Sequence, residues 1–152
     1  MALIGNHPGY GGCQVESISA DKQLTINDSG KIFMVTHSSA VLCNLPKMST
    51  KIAGWSAKFV TKTSGAAFSL VTWGNPVGGG TGDSGVTNDG DTMIIKEMAT
   101  TDTGPATATS QDGVTLASGA TAGDSLDVFT DGSNWYVTAT VADAAHSAAI
   151  DS

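Results

Sequence analysis

The chain predicts an all-β fold: a compact β-sandwich or jelly-roll-like barrel of about eight or nine short strands with an irregular N-terminal arm. Three observations lead there. Charged residues make up 14% of 152 positions while Gly numbers 19, a mixture short of helix formers and rich in turn formers. No window repeats apolar residues at i, i+3, i+4 and i+7. The stretch from Gly123 to Val137 reads as a strand, a tight polar turn and a second strand with adjacent aromatics, Trp135 and Tyr136. Asp131-Gly132 supplies the turn, because Gly tolerates positive φ and Asp hydrogen-bonds the backbone ahead of it. The β-branched and aromatic residues on either side suit a pleated, half-buried surface.

The remaining elements follow in chain order. Residues 1–14 hold Gly5, Pro8, Gly9, Gly11 and Gly12 with Tyr10 as the one large ring, and predict an arm rather than a packed element. Residues 15–141 form a single β-domain. Leu24-Thr25-Ile26 opens its first clear strand, and Asn27-Asp28-Ser29-Gly30 turns it into a strand from Lys31 to Thr36. Val41 to Leu45 is a strand stopped by Pro46. From Gly54 to Lys62 the pattern alternates, with Trp55, Ala57 and Phe59 on one side and Ser56, Lys58 and Lys62 on the other. Phe68 to Trp73 follows. Residues 74–92 carry seven Gly and little apolar content, which predicts a long surface loop of the kind that contacts something. Met93 to Lys96 resumes the sheet, and Val114-Thr115-Leu116 leads to the terminal hairpin. Residues 142–152 form a small, polar tail with one short helical turn. The chain shows no strict internal repeat.

Charge and cysteine usage narrow the function. The net charge of −7 is unevenly spread. Residues 1–76 hold six lysines against Glu16, Asp21 and Asp28, a net +3; residues 77–152 hold Lys96 against eleven acids, a net −10. Such polarity orients a molecule on a charged partner or pairs subunits head to tail. There is no Arg, and phosphate and base readout lean on Arg forks, so nucleic acid is not an expected partner. Cys13 and Cys43 lie outside any Cys-x-x-Cys pattern and read as two reduced, packed thiols. The first residues lack the basic start and apolar run of a signal peptide, and no apolar run nears the roughly 20 residues that cross a bilayer. A soluble protein made in a cytoplasm, with no membrane partner, is expected.

Candidate sites fail one by one. Gly82-Asp83-Ser84-Gly85 matches the nucleophile motif of trypsin-like proteases, which also need His, then Asp, ahead of the Ser. His37 is followed by no acid before Asp83, and His7 lies in the Gly-rich arm. Asp83, Asn88, Asp89 and Asp91 place four oxygen-bearing side chains in one loop, but without the alternation and distal Glu of an EF-hand; a solvated acidic loop explains them. His7, His37 and His146 are too scattered for a zinc pair. Trp55, Trp73 and Trp135 suit a carbohydrate platform, yet their alternating strand contexts explain them as core. Gly78-Gly79-Gly80 has no following Lys to make a phosphate loop. No catalytic, cofactor-binding or metal-binding residue is assigned, and no cofactor is expected.

Three segments carry a resemblance: Ala20 to Phe33, containing Asn27-Asp28-Ser29-Gly30; Leu45-Pro46 followed by Ala53 to Val60; and the hairpin from Gly123 to Val137 with its Asp131-Gly132-Ser133-Asn134-Trp135-Tyr136-Val137 end. In this order they resemble small structural proteins of tailed-bacteriophage particles, most closely capsid decoration (cement) proteins. The resemblance implies a non-enzymatic virion component on the outer capsid surface, a homotrimer partnered by the major capsid protein. Residues 1–14 would then reach a neighbour or the shell, and the lysines from Lys47 to Lys62 would meet carboxylates. Two other readings stand beside it: a tail-fibre or receptor-binding module using the loop of residues 74–92, and a carbohydrate-binding β-sandwich.

Overall fold

The computed structural model describes residues 14–36, 39–63, 66–73, 92–99 and 106–150. Among them are twelve strands: β1 (Val15–Ile18), β2 (Lys22–Gln23), β3 (Ile32–Val35), β4 (Val41–Asn44), β5 (Ser56–Thr61), β6 (Phe68–Val71), β7 (Met93–Ala99), β8 (Ala106–Gln111), β9 (Gly113–Leu116), β10 (Ser125–Thr130), β11 (Trp135–Val141) and β12 (Ser147–Ile150). They form two sheets, a seven-stranded one ordered β1-β3-β5-β10-β11-β7-β8 and a five-stranded one ordered β12-β9-β6-β4-β2. The fold is all-β, as the composition predicts.

The first six strands alternate between the sheets. β1, β3 and β5 stack parallel in one, and β2, β4 and β6 stack parallel in the other. The chain therefore winds through three coils, each laying one strand on either side of the core. The expected hairpins and strand count differ from this. Five of the ten strand pairings among the described residues are parallel, whereas a jelly roll is built from antiparallel strands. The coils are also unequal. Val15 pairs with Ile32 and Ile32 with Lys58, while Lys22 pairs with Cys43 and Cys43 with Leu70. Successive turns therefore differ in length, and no fixed-period repeat marks them in the sequence.

The inward faces pool into one core. Along β5, Ala57, Phe59 and Thr61 are buried while Ser56, Lys58 and Val60 face outward, the alternation expected of a half-buried strand. Phe33 and Phe59, neighbours in register, stack with centroids 5.1 Å apart, and Phe59 meets Phe68 of the opposite sheet at 5.3 Å. Trp55 and Trp135 pack edge to face at 5.4 Å. β4 and β6 are buried at every position. Cys43, on β4, is a free thiol whose pKa burial pushes up to about 12, as expected of a packed structural cysteine; Cys13 lies outside the described residues.

The hairpin turn forms as its sequence predicts. Asp131 Oδ1 accepts the Ser133 and Asn134 amides, each at 2.8 Å. Gly132 adopts φ +92, and an added Cβ would lie 3.1 Å from Thr50 Cα. Thr130 Oγ1 donates to Asn134 O at 2.7 Å and accepts from the Gly132 amide. β10 and β11 lie mid-sheet, joining the parallel stack at β5 to the β7–β8 pair.

Two local expectations are corrected. The first strands are β1 and β2, and Ile26–Asp28 is a 3-10 turn rather than strand. Asp28 Oδ2 accepts the Thr25 amide at 2.8 Å, which closes the chain into a turn instead of letting it run extended. Beyond Val141, the helical turn is a 3-10 turn (Ala144–His146), but a strand follows it, β12, paired antiparallel with β9. The Thr- and Ala-rich stretch before Asp112 also holds a strand, β8.

Candidate functional site

The sites weighed from sequence separate in space. Trp55 and Trp135 are core residues, 2% and 0% exposed, which settles both against a surface platform. Trp55 Nε1 donates to Thr25 O at 3.0 Å. Trp73 is partly exposed at the end of β6. Asp83, Asn88, Asp89, Asp91, the Gly82–Gly85 motif, His7, His37 and residues 1–13 of the arm lie outside the described residues, as does nearly all of the loop of residues 74–92. His146 Nδ1 lies 2.9 Å from Asp124 Oδ2. The same Asp124 accepts the Thr121 and Ala142 amides, so this buried carboxylate ties the C-terminal segment to the start of β10. Among the described residues no group of three or more His, Cys, Asp or Glu is placed to hold a metal ion, and no helix is long and apolar enough to cross a membrane.

Of the lysines from Lys47 to Lys62, Lys47 and Lys51 are exposed before β5 and Lys62 after it. Lys58, between them, binds both carboxylate oxygens of Asp127, at 3.1 and 2.9 Å.

A charged quartet closes the first coil. Lys22 and Lys31 both pair with Glu16, and Lys31 Nζ lies 2.7 Å and Lys22 Nζ 3.7 Å from Asp28 Oδ1. The Lys22 ammonium stands 4.9 Å from the centre of the buried Phe33 ring, a cation–π distance. The Lys22 and Lys31 hydrogen bonds hold the Glu16 carboxyl below its ordinary value. Burial raises that of Asp28, but Lys31 and Thr25 more than offset it and the net direction is down. Asp28 and Glu16 hold Lys31 above its ordinary value. These groups satisfy one another and serve the fold.

What remains open is the outer face of the seven-stranded sheet. In cross-strand register, Ser56, Phe129, Tyr136 and Ile94 form one row, and Ile32, Lys58, Asp127, Thr138 and Lys96 the next. Phe129 is 51% exposed and takes no part in the core. Its ring stacks on Tyr136 at 4.9 Å with planes 12° apart. The Tyr136 hydroxyl donates to Asp131 Oδ2 at 3.0 Å. Backbone amides of Asn134 and Ser133 hold the Asp131 carboxyl below its usual range, and the bond to Asp131 raises the Tyr136 phenol. Beside Phe129 opens a shallow recess of about 500 Å³, lined by Gly30, Ser56, Lys58, Asp127 and Thr138 among others.

A scan against protein-family models, a search of curated proteins and a search of solved structures found no match to this chain.

Proposed function

We propose that this chain is a non-enzymatic structural protein of a tailed-bacteriophage particle, a capsid decoration protein that binds the outer shell as a homotrimer and braces the major capsid protein lattice. The observation that supports the reading is where the three resembling segments lie. Ala20 to Phe33 holds β2 of the smaller sheet and opens β3, Leu45-Pro46 follows β4, Ala53 to Val60 makes most of β5, and Gly123 to Val137 makes β10 and the start of β11. Parts of all three segments thus meet in β3, β5, β10 and β11, four neighbouring strands of the larger sheet, which suits a protein acting through a surface. In this reading the two sheets are the layers of a β-sandwich. A subunit whose outer sheet face is covered by neighbours is stabilised by them, so assembly and stability are linked.

The deciding experiment is copy number in purified particles, by quantitative mass spectrometry against the major capsid protein. Hundreds of copies in simple proportion to the shell protein support the decoration role. A handful would place the protein on the tail, and absence from particles would overturn the virion reading.

A further inference from the structure

We propose that the recess beside Phe129 is a saccharide subsite, taking a neutral pyranose that stacks on the open face of the Phe129 ring. A pyranose is amphipathic: one face presents C–H groups and the rim presents hydroxyls. The recess has the matching parts. Tyr136 covers one face of the half-exposed Phe129 ring, and the ring's other side borders the recess, of which Phe129 is a wall and Tyr136 is not. An aromatic face is electron-rich and attracts C–H groups that carry partial positive charge. Ser56, Thr138, Lys58 and Asp127 line the recess as well, residues that offer donors and acceptors for a hydroxylated rim. The volume of about 500 Å³ falls within the range of small-molecule sites.

Two further features select the ligand. Lys58 and Asp127 pair with each other, and Lys31, the other charged residue of the lining, is paired with Glu16 and Asp28, so every charge of the recess already has an opposite partner, which suits a neutral sugar over a uronate or a sulfated one. Those same groups disfavour an apolar side chain from a second protein, which would strip them of water without replacing their hydrogen bonds. The platform is also held before any ligand arrives. Asp131, itself fixed by the turn amides, fixes the Tyr136 hydroxyl, and Tyr136 backs Phe129, so little side-chain freedom is lost on binding.

The test uses cellohexaose, maltohexaose and chitohexaose at millimolar concentration with the full-length chain, followed by ligand-observed and amide NMR. At least one should bind, shifting resonances of Phe129, Tyr136 and Thr138. Phe129→Ala should weaken that binding tenfold or more while staying folded, because the ring lies outside the core. Asp127→Asn, which keeps the shape but breaks the ion pair and alters the rim, should weaken it severalfold. Failure of all three sugars to bind the wild type, or equal binding by Phe129→Ala, overturns the proposal. So does a wild type that self-associates through this face and becomes monomeric in Phe129→Ala, since the patch would then be a protein interface. The measurement is made on free protein and stands or falls independently of copy number in particles.

Discussion

Glu16 occupies an inward position of an edge strand, beside Phe33 in register and two residues before the buried Ile18. An apolar side chain there would leave a sticky open end to the coil, and an inward-pointing charge is one way proteins blunt such edges. The charge is tolerable because Lys22 and Lys31 reach it. The carboxyls of Glu16 and Asp28 both sit below their ordinary values. Their contribution is therefore complete above the unfolded carboxyl range, near 4, and is lost as pH falls through the folded values. Lys31 is raised, so its share is complete below the ordinary lysine range and is lost only as pH climbs through its folded value. Glu16→Gln should cost under about 1 kcal/mol at neutral pH, since Glu16 is over a third exposed and solvent screens its pairs. Urea titrations of wild type and variant should converge as pH falls through and below the lowered folded value of Glu16, where both side chains are neutral. A gap that persists there would mean Glu16 acts through shape and not charge.

At the scale of elements, the close approach of β6 and β9 depends on a missing side chain. Gly113 pairs with Val71, and a Cβ on it would fall 2.7 Å from both Leu70 O and Val71 Cγ1. One of those atoms is backbone in the centre of a buried sheet, so it cannot move aside. Gly113→Ala should destabilise by about 1–3 kcal/mol through overpacking, read as a lower urea midpoint with unchanged slope. An unchanged midpoint would show that the strands can part at no cost. Gly113 also shows what the sequence left hidden. Alternation made β5 and β11 legible, because a half-buried strand writes its faces into every second residue, and Asp131-Gly132 made the turn between β10 and β11 legible from local chemistry. β1 and β2 were not legible, being short and largely polar, nor was β12, whose Ala-rich segment carries no pattern. Phe129 was legible as a strand residue but not as an exposed platform, since burial is decided by what lies across the sheet. The parallel coils escaped because their pairings join residues at unequal spacings, which no local signal records.

For the whole molecule, the question is what makes three parallel coils one stable body with the rest. A stack of coils exposes core at both ends unless each end is capped. The quartet on Phe33 caps one end. At the other, β10 adds to β5 and β9 adds to β6, so residues far along the chain cover the last coil. Leu126, opposite Phe59, is fully buried, and Trp135 closes on Trp55. Residues 14–73 alone would keep the four parallel pairings of the coils but lose that cover, exposing Phe59, Phe68 and Trp55. The loss of about three large side chains' burial, at roughly 1.5–3 kcal/mol each, is comparable to the entire stability of an ordinary domain. The fragment should therefore be unfolded, with collapsed amide dispersion in its NMR spectrum, while the full chain unfolds in one step. Far-ultraviolet circular dichroism, which reports all strands, and tryptophan fluorescence, which is weighted toward the Trp55–Trp135 contact, should then trace the same urea transition. A dispersed spectrum from the fragment, or two separated transitions in the full chain, would show that the coils are an autonomous unit and that the hairpin is an addition to them, not their cap.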